Sequence, residues 1–182
     1  KFLLFPGNEL PVYFINLIFK LYIFLDKRFL KLSNFINIHH GKLPKQKGRA
    51  SINWAIIMGR KSIYLTIHKV VLKLDAGQII YQKKFNITPL DNYISIKEKV
   101  NKFIKNQLSS IIQKYLTNKL NLKGNKLSQE TWNPSRNPED SMINFFDKKK
   151  NVINLIRGTA DKKFGAFCFL NEKKIIILDA SI

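Results

Sequence analysis

Three polar side chains in this sequence, a carboxamide, an imidazole and a carboxylate, could together form a reactive site. Asn37 and His39 lie two residues apart, so in the end of an extended strand both side chains point to the same face of a sheet. Asp75 follows a strand-like run and precedes Gly77, which predicts a second loop at that point. If the two loops belong to neighbouring strands, we expect the three groups to converge.

The chemistry of such a group would suit acyl-type transfer to an amine. A carboxylate beside an imidazole raises the pKa of the ring and fixes its orientation. A carboxamide and an imidazolium N–H both donate to a developing oxyanion, and the imidazole can exchange protons with an amine. For an isolated Asn-x-His pattern, however, the structural alternative is more common: Asn37 would make turn hydrogen bonds and His39 would pack on a loop.

Other kinds of site are not indicated. His39 and His40 could only be supplemented by His68 and Cys168, and their spacing matches no metal-binding motif, so we predict no metal site. No G-x-S-x-G nucleophile motif and no Walker or Rossmann glycine signature is present. The single cysteine excludes an internal disulfide, and its apolar flanks predict a buried, unreactive thiol.

The composition indicates a globular, strongly basic chain. The 182 residues include 45% hydrophobic residues, which is normal for a protein with a core, and carry a formal net charge of +20. Two interpretations of this charge remain open. The lysines could form a solvated basic surface, or they could bind a polyanion such as RNA.

Hydrophobic patterns predict the elements that would carry these residues. We predict strands at 35–39, 62–69 and 78–85, and a short helix at 51–58 that Gly59 ends. The most regular pattern predicts a helix at 95–116, begun by a capping box of Ser95 and Glu98. Residues 121–140 are predicted to form a linker, which a helix (149–157) and two strands (164–170 and 173–179) follow.

The most hydrophobic run, residues 10–25, could be a membrane span or a buried strand. The run is shorter than the roughly 20 residues of a typical span and contains Asn16 and Lys20. We therefore favour a buried parallel strand and predict no membrane insertion.

The spacing of these motifs resembles the signature of the folate-dependent formyltransferases. That signature consists of N-x-H, L-P, a basic residue and a glycine, and then a strand that ends in D-x-G. The matching stretches are Asn37–Ala50, Thr66–His68 and Leu74–Ile80. Three further stretches resemble the beginning of the family's small C-terminal β domain: Arg136–Asp140, Asn154–Arg157 and Gly165–Phe167.

The resemblance implies a fold and a donor. The fold would be α/β, a partial Rossmann-like formyltransferase sheet with flanking helices at residues 1–130, followed by a linker and the start of a β-barrel-like domain at 131–182. The donor would be 10-formyltetrahydrofolate, and no metal is implied. The resemblance makes Asn37, His39 and Asp75 the catalytic residues and assigns the folate contacts to Arg49, Val71, Leu72, Lys73, Leu74 and Asp75.

The resemblance leaves the acceptor open. The stretches Gly48–Trp54 and Thr66–His68 are most similar to those of the sugar-amine enzymes, such as the one that acts on UDP-4-amino-4-deoxy-L-arabinose. The alternative acceptor is initiator methionyl-tRNA, which the positive charge favours, and the second alternative is an inactive remnant that binds folate. The family has a longer half before N-x-H than the 36 residues found here, so we expect the first βαβ unit to be absent or reduced. We expect a cytoplasmic protein; no oligomeric state is predicted.

Overall fold

The chain forms two compact units that interleave along the sequence. The computed structural model describes residues 12–14, 34–161 and 164–180. Unit 1 draws on the ranges 1–48, 64–83 and 109–132, and unit 2 on 49–63, 84–108 and 133–182. The architecture is mixed α/β, as the sequence predicts.

A four-stranded sheet forms the centre of unit 1. Its strands lie in the order β1-β2-β4-β5, and β2 runs parallel to β1 but antiparallel to β4. The bounds are Val12–Phe14 for β1, Asn34–His39 for β2, Ser62–Lys69 for β4 and Ile79–Asn86 for β5. The predicted strands at 35–39, 62–69 and 78–85 are therefore confirmed within one or two residues. Of the predicted strand at 10–25, only β1 lies within the described residues.

Apolar and polar side chains alternate along β4, so the strand contributes apolar residues to the core on one face and buried polar residues on the other. Leu65 and Ile67 are buried on one face of the strand, while Thr66 and His68 are buried on the other. A strand that is covered on both faces is common inside α/β sheets. The sheet thus encloses two polar side chains, and these need partners in the fold.

Helix α2, Tyr93–Leu116, begins earlier than the sequence predicts. Its first turn is capped by Asn92, whose Oδ1 accepts from the Ser95 N–H at 3.0 Å, while Ser95 Oγ accepts from the Asn92 N–H at 3.1 Å. The predicted box of Ser95 and Glu98 is therefore wrong, because Ser95 occupies the third helical position rather than the cap. The predicted apolar stripe is correct in its buried members Ile96, Val100, Ile111 and Ile112.

Unit 2 contains two further helices and a hairpin. Helix α1, Ser51–Ile57, ends before Gly59, which has a positive φ of 63°, and the predicted helix end is thus confirmed. Helix α3, Lys149–Gly158, packs on α1, and Asn53 Nδ2 donates to Gly158 O at 2.8 Å. Strands β7, Ala166–Leu170, and β8, Lys173–Ile177, pair antiparallel.

The predicted linker at 121–140 is more structured than its composition suggests. It contains two 3-10 helices, Leu127–Gln129 and Pro138–Ser141, and the two-residue strand β6, Trp132–Asn133. Its first half belongs to unit 1, where Lys123 forms a bridge with Ile79. The Gly, Pro and Asn residues of the segment do form turns, but these turns belong to an ordered path of the chain rather than to a flexible linker.

One prediction about a single side chain is wrong in detail: Cys168 is half-buried rather than buried. Lys47 is fully buried in the two-residue strand β3, Lys47–Gly48. Within the described parts of the chain, the structure has no helix with the length and apolar character that crossing a membrane requires.

Candidate active site

The three residues singled out by their chemistry lie together in unit 1, around one buried carboxylate. Asp75 Oδ2 is 3.6 Å from His39 Nδ1, and Asp75 Oδ1 is 3.5 Å from His68 Nε2. Asn37 Nδ2 lies 3.2 Å from the same His68 Nε2. A second imidazole, which the sequence analysis did not assign to the catalytic group, thus connects the carboxamide to the carboxylate.

Strand register brings these groups together. In the antiparallel pair of β2 and β4, Asn37 lies opposite His68 and His39 lies opposite Thr66. Asn37 and His39 share a face of β2 because side chains alternate along a strand, and His68 and Thr66 share a face of β4 for the same reason. The pattern Thr66-Ile67-His68 indicates that His68 lies on the same face of the strand as Thr66. Only the strand register shows that His68 faces Asn37.

The turn that carries Asp75 is held in a constrained shape. Asp75 has a φ of 49°, in the left-handed region that L-residues other than Asn and Asp seldom adopt. Gly77 is required two residues later, because a Cβ built there would lie 1.8 Å from the carbonyl oxygen of Lys69 on β4. Asn125 Nδ2 donates to the carbonyl oxygens of Asp75 and Gly77, at 2.9 and 3.1 Å. These contacts give a physical reason for the D-x-G pattern.

The imidazole of His39 is enclosed by its own loop. His39 Nε2 lies 2.7 Å from the carbonyl oxygen of Gln46, so this nitrogen carries the proton and donates it. A Cβ on Gly41 would lie 2.5 Å from both His39 Nε2 and Gln46 O, and glycine is therefore needed where the loop closes over the ring. His39 is only 7% exposed as a result.

Burial lowers the pKa of His39 below its ordinary value of 6.5. The Asp75 carboxylate and the Gln46 carbonyl both favour the imidazolium and raise the pKa, while His68 and Lys47 oppose it. The sequence predicts that Asp75 raises the pKa of His39. Its contribution has that sign, but the desolvation of a charged ring outweighs it. His39 is consequently neutral at pH 7.

The pKa of Asp75 is lowered below 3.8, although the residue is only 4% exposed. Burial alone would raise it, but His68, His39 and the Gly48 N–H, which donates to Asp75 Oδ2 at 3.1 Å, together favour the carboxylate. A buried carboxylate with several donors remains ionised. The site therefore combines a fixed negative charge with a neutral imidazole.

His68 has a defined role in this arrangement. His68 Nδ1 lies 2.8 Å from the carbonyl oxygen of Lys69, so this nitrogen carries a proton and donates it. In the tautomer with its proton on Nδ1, Nε2 accepts from the Asn37 Nδ2–H at 3.2 Å. This contact fixes the orientation of the carboxamide.

Of the residues predicted to contact folate, Asp75 is buried and most of the others are exposed. Arg49 is exposed and belongs to unit 2. Val71, Leu72 and Lys73 are exposed in unit 1 and Leu74 is half-buried, between the end of β4 and Asp75. Val71 and Leu72 form an apolar surface immediately before the turn that carries Asp75.

An ion pair between Lys47 and Glu130 was missed by the sequence analysis. Lys47 Nζ donates to Glu130 Oε2 at 2.7 Å, and the exposed Lys73 donates to Oε1 at 3.2 Å. These two hydrogen bonds lower the pKa of Glu130. The two lysines and the glutamate are far apart in sequence, so no local pattern could have shown that they meet.

Metal ligation is not a feature of the described residues: no group of three or more His, Cys, Asp and Glu side chains there could hold a metal ion. The donors of the site, an amide, two imidazoles and a carboxylate, are instead connected to one another. The arrangement can stabilise an oxyanion and transfer protons.

Comparison with known proteins assigns the sequence to a family. The formyl transferase family model matches residues 20–112, and the model of the formyl transferase C-terminal domain matches residues 136–182. The first match covers half of the chain and includes the whole cluster around Asp75.

Two curated relatives and one solved structure illustrate the range of similar proteins. The methionyl-tRNA formyltransferase of Malacoplasma penetrans (strain HF-2) is 32% identical over 165 residues, which cover 86% of this chain and 50% of the relative. The bifunctional polymyxin resistance protein ArnA of Wigglesworthia glossinidia brevipalpis is 32% identical over 152 residues, which cover 84% of this chain and 23% of that protein. The chain therefore spans half the length of the first relative and about a quarter of the second.

The solved structure is that of WlaRD, a sugar 3N-formyl transferase, in the presence of dTDP and 5-N-formyl-tetrahydrofolate. It superimposes with a TM-score of 0.62 at 25% sequence identity and covers 78% of this chain and 52% of WlaRD. Two family models match in order along the chain, and the fold is shared with a solved member: this chain belongs to the formyl transferase family.

Proposed function

We propose that the protein transfers a formyl group from 10-formyltetrahydrofolate to the primary amine of a nucleotide-linked amino sugar. The observation that carries this proposal is the cluster of Asn37, His39, His68 and Asp75, in which one buried carboxylate faces two imidazoles and one of these orients a carboxamide. These groups are the ones that an amine acylation needs.

The likeness to WlaRD supports both the donor and the acceptor of this proposal. That protein is described as a sugar formyl transferase and was solved with a nucleotide and a formylated folate. The stretches Gly48–Trp54 and Thr66–His68 resemble the sugar-amine members of the family, as the sequence analysis notes. No metal is required, because an amide and an imidazole supply the oxyanion donors.

The reaction follows from the chemistry of the cluster. The acceptor nitrogen attacks the formyl carbon and forms a new C–N bond, and the carbonyl electrons move onto oxygen. Asn37 Nδ2–H and a His39 N–H donate to this oxyanion. The oxyanion then collapses, the bond between the formyl carbon and N10 of the folate breaks, and the proton lost by the amine is passed to N10. The products are the formamide and tetrahydrofolate.

The lowered pKa of His39 suits the first proton transfer. When Nε2 leaves the Gln46 carbonyl, the neutral ring can carry its proton on Nδ1 beside Asp75, which frees Nε2 to accept a proton from the attacking amine. Asp75 then stabilises the imidazolium that forms. Because burial disfavours the charged ring, His39 returns the proton readily.

His39 Nε2 must exchange one partner for another before the reaction. In the structure it donates to the carbonyl oxygen of Gln46. We propose that the substrate takes the place of this carbonyl when the loop 41–46 moves, since catalytic hydrogen bonds often form only in the substrate complex. The loop would then close the site against water.

The folate would lie against the exposed segment before Asp75. Val71 and Leu72 offer apolar surface, and Lys73 offers a cation for an anionic group of the cofactor. Leu74 and Asp75 complete the predicted contacts, and Arg49 is the remaining predicted folate contact. We also retain as proposals a catalytic core at residues 1–130, a C-terminal β domain at 131–182 and a cytoplasmic location.

A second candidate acceptor is initiator methionyl-tRNA. Two observations favour it: the 32% identity to a methionyl-tRNA formyltransferase and the net charge of +20, which suits a polyanion. The same chemistry at Asn37, His39 and Asp75 would serve this acceptor, because only the amine differs.

The test is a formyl-transfer assay with both acceptors. Purified protein is incubated with 10-formyltetrahydrofolate and either a panel of nucleotide-linked amino sugars or charged initiator tRNA, and tetrahydrofolate release is followed. We expect release that depends on an amino sugar. Release with tRNA alone would favour the second candidate. If the folate binds but neither acceptor causes release, the protein is an inactive folate-binding remnant and the proposal is wrong.

A further inference from the structure

Lys47 is an unusual residue to find beside the cluster because its side chain is fully buried. Its exposed fraction is 0%, yet the side chain ends in an ammonium group. Burying a lysine is unfavourable unless a carboxylate compensates the charge. Glu130 supplies that carboxylate at 2.7 Å, and the ring of Trp132 lies 5.4 Å from the same Nζ. Because separating the two charges would leave a buried ammonium group without a counter-ion, the pair ties Lys47 to Glu130.

The backbone around Lys47 is held by the same short segment that supplies Glu130. The Lys47 N–H donates to the carbonyl oxygen of Thr131 at 2.9 Å, and the Gln46 N–H donates to Thr131 Oγ1 at 3.1 Å. Residues 130 and 131 therefore fix Gln46 and Lys47 through one backbone–backbone hydrogen bond, one hydrogen bond from backbone to side chain and one ion pair. We call residues 123–132 the bracing segment.

The fixed residues are the ones that touch the proposed catalytic side chains. The carbonyl oxygen of Gln46 contacts His39 Nε2, and the N–H of Gly48 donates to Asp75 Oδ2. Lys47, between them, is anchored from the opposite side by Glu130. Any shift of Lys47 would thus move the partner of the imidazole and the partner of the carboxylate together.

The bracing segment also holds the second loop of the site. Asn125 donates to the carbonyl oxygens of Asp75 and Gly77, and Lys123 forms a backbone bridge with Ile79 just beyond. Both loops that carry the cluster are therefore fastened to one ten-residue stretch. The sequence predicts a linker over this stretch.

We propose that the Lys47–Glu130 ion pair is a positioning device that holds Gly48 against Asp75 and Gln46 against His39. Its catalytic significance rests on the proposed function, but its effect on Gly48 and His39 does not. Neither Lys47 nor Glu130 touches the reacting atoms in this account. They act through the backbone of residues 46–48.

The direct test replaces Glu130 with glutamine and measures two signals by NMR on the full chain. The Gly48 amide reports on its bond to Asp75 through hydrogen exchange, and the His39 ring reports on its pKa through its carbon shifts. We expect exchange at Gly48 to be faster by about tenfold, as for one hydrogen bond to a charged group. The pKa of His39 should fall, because Asp75 is less well placed and the charge of Lys47 is no longer compensated.

Two further variants separate positioning from general loss of stability. Glu130→Asp keeps the charge, and we expect it to retain most of the protection at Gly48. Lys99→Met removes a lysine from a different ion pair, with Asp91 in unit 2, and should leave the exchange of Gly48 and the pKa of His39 as in the unchanged protein. If Glu130→Gln is too unstable to study, Glu130→Asp still decides the question. Its shorter side chain weakens the ion pair, so we expect a small increase in exchange at Gly48, and no increase would contradict the proposal.

The proposal is wrong if Glu130→Gln leaves both signals unchanged, or if Lys99→Met alters them equally. A kinetic measurement then extends the result to catalysis. In formyl transfer we expect Glu130→Gln to lower kcat about tenfold. KM for the folate is expected to change as well, because Lys73 in the proposed folate-binding segment loses its Glu130 partner. If the unchanged protein transfers no formyl group, the proposed function fails, whereas the NMR results still decide whether the ion pair positions Gly48.

Discussion

Two buried carboxylates, Asp75 in unit 1 and Asp91 in unit 2, differ in how completely they are hydrogen-bonded. Asp91 accepts from the N–H and the hydroxyl of Thr88, both at 2.8 Å, from Ser95 Oγ at 2.9 Å and from the ammonium of Lys99. Asp75 has one side-chain hydrogen bond of ordinary length, 3.1 Å from Gly48, and two imidazoles at 3.5 and 3.6 Å.

We propose that this difference separates a structural carboxylate, Asp91, from a reactive one, Asp75. The partners of Asp91 come from residues 88–99, and their short contacts close a turn and begin a helix. Those of Asp75 come from distant parts of the chain, and two of them can change protonation state. A carboxylate whose hydrogen bonds are all made by neighbouring residues stabilises the fold. A carboxylate between two imidazoles can instead stabilise the positive charge when one of the rings gains a proton. The predictions below test this contrast.

The largest effect is expected at the imidazole that faces Asp75. Replacing His39 with glutamine removes the proton acceptor and one oxyanion donor, and we expect kcat for formyl transfer to fall by roughly 10²–10⁴-fold. Folate affinity, measured by fluorescence titration, should change little because no predicted folate contact is altered. A fall of less than a few-fold would show that His39 is not catalytic.

A smaller but more informative effect is expected for Asp75→Asn. The rate should fall by about 10²-fold, because the imidazolium formed at His39 loses its stabilising charge. The carboxylate raises the pKa of His39, so its removal lowers that pKa, and the rising limb of the pH–rate profile should move to lower pH. A profile that keeps its midpoint would contradict the proposed action of Asp75 on His39.

At Asp91 the expected effect is on stability. Its pKa is lowered from 3.8 to about 2, so its ionised form stabilises the fold above pH 3.8, and this stabilisation is lost as the pH falls towards 2. Asp91→Asn should therefore reduce the free energy of unfolding at pH 7 by on the order of 1–2 kcal/mol. Urea unfolding from pH 7 to pH 2 should show this difference disappearing.

The exposed Asp179 provides the control for that measurement. We expect Asp179→Asn to leave the free energy of unfolding within about 0.5 kcal/mol of the unchanged protein. If Asp91→Asn costs no more than this control, the hydrogen bonds around Asp91 do not stabilise the fold as described.

The smallest expected effect is the contribution of His39 to stability. Its pKa is lower in the folded chain than the ordinary 6.5, so the unfolded chain binds more protons and stability falls as the pH decreases below about 6.5. The loss should be complete once the pH is below the folded pKa. We expect His39→Gln to unfold with a weaker pH dependence in this window, measured by thermal unfolding; an equal dependence would show that His39 is not desolvated.

Local chemistry in the sequence predicts much of the fold and the centre of the site. Alternation gives β2, β4 and β5 within one or two residues, and Gly59 gives the end of α1. The grouping of Asn37 with His39 follows from strand geometry. The glycine of the D-x-G pattern is explained by the close approach of Gly77 to the Lys69 carbonyl, which leaves no room for a side chain. What these features share is that a few neighbouring residues determine them.

The parts that sequence reasoning missed depend on partners far along the chain. The contact of His68 with Asn37 requires the register of β2 and β4, and the burial of Lys47 requires Glu130, 83 residues away. The start of α2 was misplaced because both Asn92 and Ser95 are residue types that cap helices. In the structure Asn92 is the cap, and the Ser95 hydroxyl donates to Asp91 instead. The sign of the net pKa shift of His39 depends on burial, which a local pattern does not give.

The central claim is that Asp75 serves catalysis and Asp91 serves the fold, and one paired measurement tests it most directly. Single-turnover formyl transfer and urea unfolding are measured for Asp75→Asn and Asp91→Asn at the same pH, with the unchanged protein alongside. We expect Asp75→Asn to lose about 10²-fold in rate, and Asp91→Asn to keep its rate while it loses on the order of 1–2 kcal/mol of stability. If Asp75→Asn transfers the formyl group as fast as Asp91→Asn does, the cluster around Asp75 is not the catalytic site.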